Sequence, residues 1–116
     1  MVTPGPASVV VVPFPFSDLS GVKLRPAVVL ADAGRGDWLL CQITSNPYSD
    51  SDAVPITNKE LQSGALTSTV SFARPIKLFT ASEAVMNKRV AILEDETFKT
   101  ILTATTESLR KNMPKE

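Results

Sequence analysis

The chain has 116 residues, 43% of them apolar and 21% charged, a size and composition that predict one domain with its own hydrophobic core. We expect this single domain to span residues 1–116, with its core at about 9–110. Lys plus Arg and Asp plus Glu number 12 each, so the formal net charge is zero, which disfavours coating of nucleic acid through bulk positive charge. Local contacts to a few phosphates remain compatible with this balance.

The sequence contains no histidine and one cysteine, Cys41. A Cys/His zinc site is therefore excluded, and so are Ser–His or Cys–His nucleophile pairs and catalysis by two histidines. Cys41 lies among Leu39, Leu40 and Ile43, which indicates a buried core thiol. Any chemistry must come from Arg, Lys, Asp, Glu, Ser, Thr or Tyr side chains, and we expect no cofactor.

Membrane insertion and secretion are both disfavoured by the pattern of the chain. No apolar run approaches the ~20 residues that span a bilayer. The stretch Met1–Ser8 carries no Lys or Arg and so lacks the charged region of a signal peptide. We therefore expect a cytoplasmic location.

The first predicted elements form a hairpin. Val9–Val12 is a β-branched run, which indicates a buried strand. In the following Pro13–Phe16 segment, two prolines remove N–H donors, so the strand must leave the ladder or run at an edge. Residues 17–21 are a turn signal, and Lys23–Ala31 resumes extended structure. Together these segments predict two strands joined by a long, stiff loop.

The middle of the chain predicts more strands. After a turn over Asp32–Asp37, the alternation in Trp38–Thr44 indicates a strand, with Gln42 and Thr44 on the face of Trp38 and Leu40. The remaining segments predict, in order, a surface loop over Ser45–Asp52, a short strand over Ala53–Ile56, a loop or brief helical turn over Asn58–Gly64, extended structure over Leu66–Phe79, a turn at Ser82–Val85 and a strand over Val90–Leu93.

The C-terminal segment has a different period, because its apolar positions recur at the helical spacing from Phe98 to Leu109. Asp95 is predicted as the N-cap, and Arg110 and Lys111 suit the C-terminal end of the helix dipole. Several short strands followed by one helix predict a mainly β fold, a small and strongly bent antiparallel barrel with a C-terminal helix packed against it.

Three blocks of sequence resemble the MazF/PemK family of toxins. Val9–Leu30, VVVVPFPFSDLSGVKLRPAVVL, resembles the family's opening strand, its proline-bearing loop and the Lys/Arg-x-Arg-Pro segment that begins its second strand. Cys41–Ser45, CQITS, resembles the strand that ends in Thr-Ser, and Arg74–Thr80, RPIKLFT, is similar to a later strand. The resemblance extends from about Val9 to Leu109 and implies an SH3-like β-barrel with a C-terminal helix.

The resemblance also implies a function. The family's activity is metal-independent cleavage of single-stranded RNA or mRNA at short sequences, by a homodimeric toxin that an acidic antitoxin neutralises. Arg25 matches the family's catalytic arginine, and Thr44 matches its catalytic threonine. Two departures are clear: Ala7-Ser8 replace a Gly-Asp pair before the first strand, and Arg74-Pro75 replace the Glu-Gln of some members. No role of that glutamine can be carried over.

The residue types suit this chemistry. Cleavage by the RNA 2′-hydroxyl needs stabilisation of charge at phosphorus, and the planar fork of Arg25 can hold two phosphate oxygens. Thr44 offers a hydroxyl and a backbone N–H at a strand end. Further candidates for substrate binding are Ser17, Asp18, Lys23, Ser45 and Lys77, and Asp18 is the nearest candidate for a general base.

Other interpretations remain open. An Arg before Pro is more often a surface ion-pair partner, and a Thr-Ser at a strand end is more often a turn. Phe14 and Phe16 could stack on bases, although core or dimer packing fits them better. Two rival functions are a CcdB-like DNA gyrase poison on the same fold, which Lys23–Pro26 disfavours, and a catalytically silent barrel that binds RNA or a partner.

Overall fold

A computed structural model describes residues 4–15, 22–47 and 49–115. Within these ranges the strands are β1 (Ser8–Pro15), β2 (Val22–Gly34), β3 (Asp37–Thr44), β4 (Val54–Ile56), β5 (Leu61–Gly64), β6 (Ser71–Ser82) and β7 (Lys88–Leu93), followed by one helix, α1 (Asp95–Arg110). Single 3₁₀ turns lie at Asn58–Glu60 and Glu83–Val85. None of the described helices is both long and apolar enough to cross a membrane.

All strands pair antiparallel in one sheet of order β4-β6-β3-β2-β1-β7-β5. The sheet curls into a nearly closed barrel, which confirms the predicted mainly β fold with a C-terminal helix. The helix contributes Ile101, which is fully buried in the core. Because the sheet curls round until it nearly closes, its strands have to bend strongly, and the ladders contain several bulges.

The central strands β1, β2 and β3 bury side chains on both faces. One core cluster contains Val9, Val28, Cys41 and Ile43, and α1 covers it with Ile101. The second cluster, on the opposite face, contains Val10, Val12, Ala27, Val29 and Leu40. The predicted alternation in β3 is therefore confirmed, because Leu40 and Trp38 belong to one face and Cys41 and Ile43 to the other.

The prolines of β1 lie where the sequence requires an edge. Pairing with β7 reaches Val11 opposite Lys88, whereas pairing with β2 continues through Pro13 to Pro15 opposite Val22. Beyond Val11, β1 therefore has a strand partner on one side, and the missing N–H groups can face away from the ladder. Of the two predicted alternatives, the strand runs at an edge.

Three local predictions need correction. The segment predicted as a loop or helical turn is a 3₁₀ turn followed by β5, because residues 61–64 find a partner in β7. The predicted extended segment from Leu66 begins as a strand only at Ser71, where β4 pairs with it. The N-cap of α1 is Glu94, not Asp95, because the β7 ladder ends at Leu93 and the Glu94 carbonyl accepts from Phe98 N at 3.0 Å.

Among the glycines that the structure describes, Gly64 alone is required for two reasons, its backbone angle and its close packing. Its φ is +83°, and a Cβ at this position would clash with the Val90 carbonyl oxygen. We expect Gly64→Ala to lower the free energy of unfolding by about 1–3 kcal/mol from backbone strain alone, with the backbone clash adding to that loss. Thermal or urea denaturation followed by circular dichroism measures the change.

Gly36 supplies the matched control. Its φ is +80°, but nothing lies within 4 Å of its added Cβ. Gly36→Ala therefore reports the strain without the clash, and it should be the milder of the two. Equal losses for the two variants would show that β5 does not pack on β7 as closely as the structure has it.

Candidate active site

A groove of about 210 Å³ opens where β2 begins and β3 ends. Its walls come from three parts of the chain: the start of β2, the end of β3 with the residue after it, and the segment that leads into β6. The lining residues are Lys23, Leu24, Arg25, Pro26, Ile43, Thr44, Ser45, Leu66, Thr67, Ser68 and Ser71. The two residues that the sequence singled out for catalysis, Arg25 and Thr44, therefore line the same groove.

The register of β2 and β3 explains this meeting. Pairing of β2 with β3 ends with Ala27 opposite Gln42. Arg25 on β2 and Thr44 on β3 each lie two residues beyond that pair, at the same end of the ladder, and both line the groove. Alternate residues of a strand project from the same face. Both residues continue the face of Ala27 and Leu40, so the polar site lies at the end of the second core cluster.

The chemistry of the lining is suited to an anion. Among the described lining residues there are two cations, Lys23 and Arg25, and no carboxylate, and five residues carry hydroxyls: Thr44, Ser45, Thr67, Ser68 and Ser71. Arg25 is half-buried, so part of its charge is shielded from bulk water. Charge-assisted hydrogen bonds from such a guanidinium to a phosphate are stronger than neutral ones. The groove can therefore hold a phosphodiester with donors on several sides.

Thr44 already makes a compact turn. Its Oγ1 accepts a hydrogen bond from Asn46 N at 3.1 Å and donates to the Asn46 carbonyl oxygen at 3.0 Å. The residue is only 6% exposed. The alternative interpretation of a Thr-Ser at a strand end as a turn is thus confirmed locally, and the turn holds the Thr44 side chain in a single position at the groove wall.

The remaining candidates from the sequence are distributed unevenly. Lys23 and Ser45 line the groove, whereas Lys77 lies on an exposed part of β6 and does not. Ser17 and Asp18 lie outside the described residues, as does Phe16. Phe14 packs edge-on against Phe79, with ring centroids 5.1 Å apart, which supports its interpretation as a packing residue.

Sequence reasoning missed the third wall of the groove. Leu66, Thr67 and Ser68 were predicted to lie in a strand, but they form the connection between β5 and β6 that faces Arg25. The residue types gave no signal against a strand here, since Thr67, Thr69 and Val70 are all β-formers. Sequence reasoning also missed a cluster beside the groove, in which Arg74 contacts Asp50 and Gln42. Across the described ranges, no three His, Cys, Asp or Glu side chains gather into a group that could hold a metal ion.

Comparison with known families gives one match that spans most of the chain. The family model described as PemK-like, MazF-like toxin of type II toxin–antitoxin system matches residues 6–109. The comparison with curated proteins found no relative of this sequence.

Solved structures share the fold at low sequence identity. A MazE–MazF complex from Deinococcus radiodurans superposes with a TM-score of 0.73 at 16% identity, covering 95% of this chain and 98% of that one. An endoribonuclease in complex with its cognate antitoxin, from a mycobacterial species, gives 0.69 at 13% identity, covering 97% and 100%. The Mycobacterium tuberculosis toxin MazF-mt6 gives 0.68 at 12% identity, covering 89% and 96%.

The lone thiol is not part of this site. Cys41 is fully buried in the core cluster beneath α1, as the sequence predicted. Burial raises the pKa of the Cys41 thiol to about 12, and a hydrogen bond with the backbone of Val28 opposes the rise only in part. Since the thiolate is the reactive form of cysteine, Cys41 is an inert packing residue in the folded protein.

Cys41 should therefore resist a thiol reagent until the protein unfolds. The pKa of about 12 against the ordinary 9.0 lowers the thiolate fraction at pH 8 by about 1,000-fold, and burial blocks access as well. Labelling with a chromogenic disulfide at pH 8 should be negligible in buffer and complete in denaturant. Rapid labelling of the native protein would contradict the buried position of this thiol.

Proposed function

This chain belongs to the PemK-like, MazF-like toxins of type II toxin–antitoxin systems, and on that basis we propose that it is an endoribonuclease that cleaves single-stranded RNA without a metal ion. The observation that carries the proposal is the meeting of Arg25 and Thr44 in one groove that is lined by cations and hydroxyls. Cleavage of mRNA would inhibit translation and growth, which is an effect suited to a toxin.

The proposed reaction is an internal transfer at phosphorus. The 2′-oxygen of one nucleotide forms a bond to the adjacent phosphorus while the bond from phosphorus to the 5′-oxygen of the next nucleotide breaks. The proton lost by the 2′-hydroxyl is balanced by the proton gained by the leaving 5′-oxygen. The immediate products are a 2′,3′-cyclic phosphate and a 5′-hydroxyl, and no water is consumed in this step.

Arg25 is the residue to which we assign stabilisation of the transition state. The five-coordinate phosphorus carries more negative charge than the ground state, and a guanidinium fork can donate to two of its oxygens at once. Removing one preorganised donor of this kind typically costs on the order of 10²–10³-fold in rate. The guanidinium stays protonated throughout, since its pKa exceeds ~12, so Arg25 acts as an electrostatic group.

We assign Thr44 to positioning the phosphate. Its hydroxyl both donates and accepts a hydrogen bond in the turn with Asn46. A phosphate oxygen that accepts a hydrogen bond from this hydroxyl therefore has to replace the Asn46 carbonyl oxygen as acceptor. The exchange is local, since the hydroxyl can rotate while Asn46 N continues to donate to it. Asp18 remains the proposed general base, and Lys23 and Ser45 the proposed phosphate contacts.

The proposed partner in the cell is an acidic antitoxin with a segment that folds over the groove. The MazE–MazF complex and the endoribonuclease bound to its cognate antitoxin share this fold. In this chain, Lys23 and Arg25 give the groove a positive lining that an acidic segment would complement. Such a segment would block RNA by occupying the phosphate site.

We also propose a homodimer in the cytoplasm. Several large apolar side chains outside the groove are exposed, including Ile76 at 46%, Val85 at 45% and Leu109 at 56%. A twofold interface is the most common way to cover such surface. Phe14 contributes less than the sequence indicated, because its ring already packs on Phe79 within the same chain.

Substitution of Arg25 tests the assignment directly. We expect Arg25→Ala to slow cleavage of a single-stranded RNA by ~10²-fold or more, and Arg25→Lys to be nearly as damaging, because lysine keeps the charge and loses the fork. Cleavage rates are measured under single-turnover conditions after circular dichroism has shown that each variant is folded. Arg110→Ala, at an exposed arginine of α1, is the matched control.

Two substitutions of Thr44 distinguish the contribution of its hydroxyl from that of its methyl group. Thr44→Ser keeps the turn with Asn46 and should retain much of the activity, whereas Thr44→Val keeps the shape and should lose most of it. The same single-turnover assay measures both. A folded Arg25→Ala protein that cleaves at the wild-type rate would place the catalytic group elsewhere.

The products test the mechanism. Because the groove offers hydroxyl and guanidinium donors and the reaction uses the 2′-hydroxyl, we expect activity to persist in EDTA. Mass spectrometry of the fragments should find a 2′,3′-cyclic phosphate, or the 3′-phosphate from its opening, and a 5′-hydroxyl. A substrate with a 2′-deoxy nucleotide at the cut should resist cleavage, and an absolute requirement for magnesium would rule the mechanism out.

A further inference from the structure

Strand β6 contains a wide bulge next to the groove. Along β3 and β6 the pairs run from Cys41 opposite Leu78 to Ile43 opposite Ala73, so β6 has four residues, 74–77, between two pairs that Gln42 alone separates on β3. A bulge of this kind interrupts the ladder and redirects side chains, and bulges are frequent beside active sites. The first residue that this bulge redirects is Arg74.

The bulge is anchored to the helix α1. Pro75 is fully buried, and its carbonyl oxygen accepts a hydrogen bond from Thr105 Oγ1 of α1 at 2.8 Å. Pro75 has no N–H to donate, so the break in the ladder leaves no donor unsatisfied at that residue. The residue that follows Arg74 is therefore anchored to α1, and a binding site needs side chains on supported backbone of this kind.

Arg74 forms a mixed polar cluster with two other residues. Its Nε lies 3.1 Å from Asp50 Oδ2, with side-chain exposures of 22% and 12%. Its Nη1 lies 3.5 Å from Gln42 Oε1. The cluster combines donors and acceptors in one place, and it joins β6 to the loop between β3 and β4, which begins directly after Thr44.

The cluster shares a face with the proposed catalytic residues. Gln42 and Thr44 are two residues apart on β3, which places them on the same face at about 7 Å from one another. Phe72 pairs with Thr44 on β6 and is half-buried, yet it is not among the described members of either core cluster. Phe72 is two residues before Arg74 on β6, and an aromatic ring together with polar groups can bind an unstacked base by its face and by its edge.

We propose that Arg74, with Gln42, Asp50 and Phe72, forms a base-binding subsite that selects guanine at a nucleotide next to the cleaved bond. Guanine presents O6 and N7 as adjacent acceptors, and a guanidinium can donate to both. Gln42 lies two residues from Thr44 on β3, next to the proposed phosphate site. The base that this subsite binds therefore belongs to a neighbour of the cleaved nucleotide in the same RNA strand. The inference rests on the proposed ribonuclease function and extends it to sequence selectivity.

The competing explanation is that Arg74 and Asp50 only fasten the loop between β3 and β4. A charge exchange separates the two. Arg74→Asp combined with Asp50→Arg restores an ion pair between the same two positions, so a fastening role would be rescued. The exchange also swaps the positions of the donors and acceptors that a base would contact, so it would not rescue a role in base selection.

The experiment compares wild type, Arg74→Gln, the charge exchange and the control Arg110→Gln. Each protein is given a pool of RNAs with random sequence around the cut, and the new 5′-hydroxyl ends are sequenced. In wild type we expect guanine to be enriched at one position beside the cut. We expect Arg74→Gln and the charge exchange to lower that preference about tenfold, and the preferences at the other positions to stay as in wild type.

A binding measurement keeps this inference separate from the proposed reaction. The same proteins are titrated with two oligonucleotides that carry a 2′-deoxy nucleotide at the cut, one with guanine and one with adenine at the selected position. If wild type prefers guanine and Arg74→Gln does not, the subsite is supported even if no RNA is cleaved. The inference is overturned if wild type shows no guanine preference, if Arg74→Gln keeps it, or if the charge exchange restores it.

Discussion

The site depends on one constraint, which is the two-sided burial of the central strands. In β1, β2 and β3, neighbouring residues such as Val28 and Val29 point into different core clusters, and both are fully buried. A shift of one residue in the pairing would move every side chain to the other face. It would also separate Arg25 from Thr44. The register that satisfies two cores is thus the register that brings the Arg25 guanidinium and the Thr44 hydroxyl to the same groove.

Around this rigid centre, the groove is completed by irregular parts of the chain. The connection between β5 and β6 supplies hydroxyls from Thr67 and Ser68, and the turn at Thr44 and Asn46 closes the end of β3. The bulge in β6 introduces Arg74, which α1 supports through the hydrogen bond from Thr105 to Pro75. Regular pairing fixes the two central residues, and the departures from it shape what surrounds them. The strands of a nearly closed barrel need such bulges in order to bend. The side chains at these bulges can therefore contribute to the site without a cost to regular pairing elsewhere.

Local pattern was informative where a segment has one strong signal. The β-branched run Val9–Val12, the alternation in Trp38–Thr44 and the helical spacing after Phe98 all correspond to elements of the structure. The failures are at places where a distant partner decides. Strand β5 exists because β7 pairs with it, and β6 begins at Ser71 because β4 pairs there. The N-cap of α1 is Glu94 and not the predicted Asp95, because the preceding ladder ends at Leu93.

By itself the sequence determined the class of chemistry, because the absence of histidine and the single Cys41 leave arginine, lysine, carboxylate and hydroxyl side chains to act. It also indicated the family, since motifs around Arg25 and Thr44 are local in the chain. The tertiary structure alone decided which residues share a groove. It brought Lys23 and Ser45 beside Arg25, left Lys77 outside, and placed Arg74 against Asp50 and Gln42. These distances in space follow from strand register and from a bulge, and both are set by the simultaneous packing of distant segments, which no local pattern of residues contains.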